Sequence, residues 1–220
     1  MKERAFNIPF YLCNSQQLYA ESCDYIEEPA LHTIFFVSGE QCRPLSEAGK
    51  LLTENERIQW IPGDDAVRSL FRKRGRSEQE ECSVKQYVFK MCEYAADMGL
   101  DVCILMDKAE EEAIVLEEIR KTYPYLAIHS LNMNEMQSME MLVNDINSVA
   151  PEILILGIRL GELRHYMEYE RRKTNARLCI CVGNLLIEEM TKKKKMFHTI
   201  TMSRRLKKNL QKYSKRNQKS

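Results

Sequence analysis

No stretch of this 220-residue chain approaches the roughly 20 consecutive apolar residues that a membrane-spanning helix needs. The opening, MKERAFNIPFYLC, has neither the long apolar region nor the small-residue cleavage site of a signal peptide. Together these absences lead us to expect a cytoplasmic protein. No two of the eight cysteines, at positions 13, 23, 42, 82, 92, 103, 179 and 181, have CxxC spacing. The four histidines form no HExxH or other ligand cluster. A metal site and a cofactor are therefore not expected, and the cysteines read as reduced structural thiols. No internal repeat is visible. Acid is missing from one region only: residues 191–220 carry twelve Lys and Arg and no Asp or Glu. The formal charge of +1 for the whole chain thus leaves −11 for residues 1–190. We expect a body over 1–190 and a basic tail over 191–220.

What is present is an alternation. Short apolar runs occur at 32–37 (HTIFFV), 57–61 (RIQWI), 101–106 (DVCILM), 126–130 (LAIHS), 153–158 (ILILGI) and 178–182 (LCICV). Helical spacing lies between them. It is clearest from Ser77 to Gly99, over 109–123 and over 134–149, with shorter helices expected from Ser15, Ser46 and Asp64 or Asp65. NIPFYL at 7–12 reads as a further short strand. Strands this apolar are buried on both faces, and alternation with helices implies a mostly parallel sheet covered on both sides. The expected fold is therefore α/β and Rossmann-like, plus the basic C-terminal tail. Residues 151–184 form the clearest β-α-β unit, with a crossover helix from Gly161. In such sheets ligands bind where strands end and helices begin, so 157–162 and 182–188 are the first places to look.

Several stretches together carry a resemblance. NIPF at 7–10 is followed by a polar helix. Residues 99–128 read GLDVCILMDKAEEEAIVLEEIRKTYPYLAI, residues 146–158 read INSVAPEILILGI, and residues 177–184 read RLCICVGN. In this order they resemble the landmarks of the WecG/TagA/CpsF family of bacterial glycosyltransferases, from about residue 7 to 184. The sharpest are Tyr123-Pro124-x-Leu126 and Asn147-x-x-x-Pro151-Glu152-Ile153-Leu154. The resemblance implies transfer of an N-acetylmannosamine-type hexosamine from a UDP-sugar to a lipid-linked acceptor in cell-surface polysaccharide synthesis. It also implies a C-terminal appendage that meets the membrane and completes the active site with arginines, for which Arg204 and Arg205 are the candidates. It leaves a homo-oligomer open.

The departures from the family pattern fall at strand ends. After ILILGI the family's G-x-P-K-Q-E is replaced by a segment containing Arg159, Gly161 and Glu162, with Leu163 and Arg164 where Gln and Glu would stand. After Val182-Gly183 the family's G-x-F-D becomes Asn184-Leu185-Leu186-Ile187. The glycine-rich turn after the strand at 101–106 is replaced by Asp107-Lys108 and three glutamates, which would repel a diphosphate unless they point away. The family's Pro-Asp-Gly appears as Pro62-Gly63-Asp64-Asp65. Either aspartate could be the general base for an acceptor hydroxyl, or simply a helix cap. Candidate substrate-binding groups are Asp107, Lys108, Arg159, Glu162, Arg164, Gly183, Asn184, Arg204 and Arg205. The alternative is a non-catalytic relative serving as a binding module in the same pathway. The tail suits an anionic membrane surface at the inner face of the cell membrane, nonspecific nucleic acid, or a solubilising role. No specific nucleic-acid partner is expected.

Overall fold

The computed structural model describes residues 2–47, 57–72 and 82–191, together with Leu206. The expected helix start at Ser77 lies outside the described residues, as do Arg204 and Arg205. The strands are β1 (Lys2–Ala5), β2 (Ile8–Tyr11), β3 (His32–Val37), β4 (Ile58–Pro62), β5 (Val102–Met106), β6 (Ile128–Asn132), β7 (Ile153–Gly157) and β8 (Leu178–Cys181). They form one eight-stranded sheet in the order β1-β2-β4-β3-β8-β7-β5-β6. Every pairing is parallel except that of β1 with β2. The Rossmann-like expectation is borne out.

The sheet is buried on both sides because its central strands carry apolar residues at every position. β5, β7 and β8 are buried throughout. On one face lie α1 (Ser15–Glu27), α4 (Val84–Met98), α5 (Ala109–Thr122) and α8 (Leu185–Thr191), contributing Leu18, Met91, Ile119 and Leu186 to one core layer. On the other lie α2 (Cys42–Glu47), α3 (Asp65–Phe71), α6 (Met139–Val149) and α7 (Leu160–His165), contributing Leu45, Val67, Ile146 and Leu163. Alternate strand residues feed the two layers: Leu154 and Leu156 face one, Ile153 and Ile155 the other. Trp60 sits in the layer of Leu154 and Leu156, stacked on Phe35 at 4.8 Å between ring centroids. The eight cysteines are free thiols, six of them buried. Among the described residues no helix is long and apolar enough to cross a membrane.

Several local expectations change. β1 was not legible, because it alternates charge and pairs only at the sheet edge. Its turn to β2 uses Phe6 (φ 53°) and Asn7 (φ 61°), both left-handed, as a two-residue hairpin requires. The helix expected over 134–149 begins only at Met139. Asn132 caps a short 3-10 turn (Met133–Glu135) and Ser138 caps α6, so two polar caps divide one apolar phase. Met136 still packs against the core. β6 starts two residues later than the apolar run suggests. α2 begins at Cys42 rather than Ser46, after a turn in which Gln41 N–H donates to the Ser38 carbonyl. The crossover helix after β7 is short. α7 widens into a π turn (Tyr166–Glu170) and then a 3-10 turn (Arg171–Lys173), which keeps Tyr166 in the core while Arg171 reaches the sheet.

Candidate functional site

All seven parallel strands end on the same edge of the sheet. The chain leaves β3 and β7 toward one face and β8, which lies between them, toward the other. Adjacent loops that diverge in this way leave a crevice above the strand ends. A cavity of about 210 Å³ occupies it, lined by Ser38 and Gln41 from the β3 loop, Arg159 and Leu160 from β7, and Asn184 and Glu188 from β8.

Two glycines let the backbone close around this crevice. Gly183 takes φ 51°, where an L side chain is strained. A Cβ there would also lie 3.1 Å from Gln41 Nε2. Gly63, at the end of β4, donates its N–H to the Val37 carbonyl at 2.8 Å. A Cβ on Gly63 would lie 2.4 Å from Leu185 Cδ1 and 3.0 Å from that carbonyl oxygen. Gln41 was not singled out from the sequence. It is buried, and its Oε1 accepts from Ser38 N–H at 2.9 Å, which fixes the β3 loop. The only signal was a polar residue after the Ser38-Gly39 turn.

Asp64 joins two loops. Its Oδ1 accepts from Val67 N–H at 2.8 Å, capping α3, and its Oδ2 accepts from Gly39 N–H at 2.8 Å. Each oxygen keeps a second lone pair. Asp65 faces outward and pairs with Arg68 at 3.3 Å and Arg72 at 3.9 Å. Leu206, helical and only 7% exposed, packs in the same neighbourhood: a Cβ on Gly39 would lie 3.6 Å from Leu206 Cδ2 and 3.7 Å from Asp64 Oδ2. Leu206 therefore lies beside the Gly39 loop that Asp64 holds.

On the other side of the crevice, Asp107 and Arg159 meet. Arg159 N–H donates to Asp107 Oδ2 at 2.6 Å, and the guanidinium Nε lies 3.3 Å from the same oxygen. Arg159 also reaches Glu162 at 3.4 Å. The Asp107 side chain is 4% exposed while Arg159 is 61% exposed. Asp107 Oδ1 is buried with no hydrogen-bond partner among the described residues. Burial raises the Asp107 pKa; Glu162 and Glu111 add to the rise, and Arg159 opposes it. Asn134, another residue not anticipated, donates to the Asp107 main-chain carbonyl at 2.5 Å.

The three glutamates after β5 thus do not all turn away. Glu111 holds Lys108 at 2.6 Å and still contributes to the negative field on Asp107, while Glu112 accepts from Asn132 at 3.3 Å. Arg164 lies farther out on α7, paired with Glu168 at 2.8 Å. Of the anticipated groups, Arg159 and Asn184 share the cavity lining, and Gly183 precedes Asn184 and lies against the Gln41 side chain. Asp107 and Glu162 bind Arg159, Asp64 borders the β3 loop, and Asp65, Lys108 and Arg164 are engaged in surface pairs. Among the described residues no group of three His, Cys, Asp or Glu side chains is arranged to hold a metal ion.

Residues 10–195 match the model of the glycosyl transferase WecG/TagA/CpsF family, in agreement with the landmarks read from the sequence. No curated protein matches the chain.

Proposed function

The chain belongs to the WecG/TagA/CpsF family of glycosyltransferases, and we propose that it moves an N-acetylmannosamine-type hexosamine from a UDP-sugar to a lipid-linked acceptor, with inversion. The acceptor hydroxyl oxygen attacks the anomeric carbon as the bond to UDP breaks. UDP leaves with that electron pair, and a carboxylate takes the hydroxyl proton. Asp64 is the better candidate for this base, because it borders the β3 loop and retains a lone pair on each oxygen, whereas Asp65 is turned to Arg68. Arg159 is an exposed cation in the crevice lining and would meet the diphosphate, with Asn184 in the same lining and Gly183 before it. Arg204 and Arg205 would come from the tail, which meets an anionic membrane surface at the cytoplasmic face. The observation that supports the reading is that Arg159 and Asn184 line one crevice, while Asp64 is tied to the β3 loop that borders it, within a matched family domain.

A second reading is favoured by the charge around Arg159. Its guanidinium is engaged by Asp107 and Glu162, with Glu111 nearby, and the cavity of about 210 Å³ is smaller than the roughly 300–1,000 Å³ of ordinary ligand pockets. On that reading the fold is kept as a binding module in the same pathway. UDP release from UDP-N-acetylmannosamine in the presence of a lipid-linked acceptor separates the two. Acceptor-dependent release lost in D64N supports the transferase, and UDP binding without release in the wild type supports the binding module.

A further inference from the structure

At the opposite edge of the sheet, where strands begin, lies a larger cavity of about 650 Å³. Its walls include Leu31 before β3, Arg57 before β4, and Arg171, Arg172, Thr174 and Asn175 before β8. β3 alone separates this edge from the crevice by about 17 Å, at roughly 3.3 Å per residue, so the two cavities are distinct.

Arg171 is the unusual member. It is 5% exposed, yet its guanidinium donates to neutral groups: Nε to Thr33 Oγ1 at 2.7 Å and Nη2 to the Leu31 carbonyl at 2.9 Å. No carboxylate lies within ion-pair distance of it among the described residues. Burial lowers its pKa, and the charge of Arg57 adds to that effect, but a guanidinium stays protonated at any ordinary pH. A buried cation satisfied only by neutral acceptors is costly unless an anion offsets it.

The rim that carries the other groups is held in place. Asn147 on α6 accepts from Asn175 N–H at 2.9 Å and donates to the Lys173 carbonyl at 2.8 Å. Tyr166 donates to Thr174 Oγ1 at 2.8 Å. The described lining has no acid, three guanidiniums, and hydroxyl and amide groups beside them. Planar guanidinium forks suit phosphate oxygens, and Arg171 and Arg172 place two of them side by side, a better match to a diphosphate than to a single carboxylate. The volume accommodates a nucleotide-sized molecule.

We propose that this cavity is a second ligand site, which takes a soluble small molecule bearing a diphosphate or two closely spaced phosphates. The site is independent of the crevice and of the transferase reading. The test titrates inorganic pyrophosphate into isotope-labelled full-length protein and follows backbone amide shifts. Arg172 is exposed, so R172A should leave the melting temperature unchanged. The expected result is saturable shifts at Thr174, Asn175 and Ala176, with affinity at least tenfold weaker in R172A and unchanged in R159A. Shifts confined to the crevice or to residues 192–220, or affinity equal in R172A and wild type, would overturn the proposal.

Discussion

The Asp64 carboxylate accepts the Gly39 N–H at 2.8 Å and so ties the end of β4 to the loop that leaves β3. The same side chain caps α3 through Val67. Asparagine keeps one acceptor oxygen for the Val67 cap, but it cannot take a proton and it turns its NH2 toward the Gly39 N–H. D64N is therefore expected to lose about 1–3 kcal/mol by urea denaturation for the unpaired Gly39 N–H, and D64A at least as much. Both should lower sugar-transfer turnover by roughly 10²- to 10⁴-fold, the usual scale for a general base. D65N should do neither. Full turnover in D64N would remove Asp64 from the chemistry and leave it a cap.

Gly63 is a site of close approach. A methyl group there meets Leu185 Cδ1 and both the N and O of Val37, and the backbone atoms cannot move without parting β3 from β4. G63A is expected to lose about 1–3 kcal/mol, as overpacking does. Chemical denaturation measures it, and a change below about 0.5 kcal/mol would mean that the strand ends relax more freely than the packing implies.

Asp107 gives a pH signature. Its folded pKa is raised above the unfolded value, so the native state holds the proton more tightly. The stability this contributes is fully present below the unfolded pKa and is lost as pH rises through the folded one. D107N has no such proton. Its stability relative to wild type should therefore improve as pH rises from the ordinary aspartate range toward neutrality. Parallel denaturation curves across that range check it, and a difference that does not vary with pH would mean Asp107 titrates normally.

How far the sequence could be read follows from where each signal was local. The apolar runs that became β3, β5, β7 and β8 were plain because those strands are buried on both faces. The stop at Gly99 was plain because it takes φ 66° at the end of α4. β1 escaped because an edge strand needs no apolar alternation, and α6 was overextended because Met136 and Met139 keep helical phase across the Ser138 cap. The site was legible as a set of strand ends, which topology alone fixes. Its pairings were not: the Asp107–Arg159 contact spans 52 residues and the Asp64–Gly39 contact 25. Nothing in local spacing states that Leu206 lies beside the Gly39 loop, or that Arg171 is buried against Thr33.

The tail offers a two-part expectation. Leu206 is buried in the layer that contains Val67 and Leu45. Removing residues 192–220 should lower stability by about 1.5–3 kcal/mol, the scale for one buried leucine. It should also remove twelve positive charges, and with them sedimentation with anionic vesicles. Equal pelleting of truncated and full-length protein would exclude the membrane role. An unchanged melting temperature would mean that Leu206 contributes little to the fold.

The transferase account turns on whether the crevice accepts a nucleoside diphosphate. Calorimetric titration of UDP into wild type, R159A and D107N tests this most directly. The account expects saturable binding in the wild type, at least tenfold weaker binding in R159A, and tighter binding in D107N, where Arg159 is released and one negative charge is gone. Absence of binding at millimolar UDP in both wild type and D107N would contradict it.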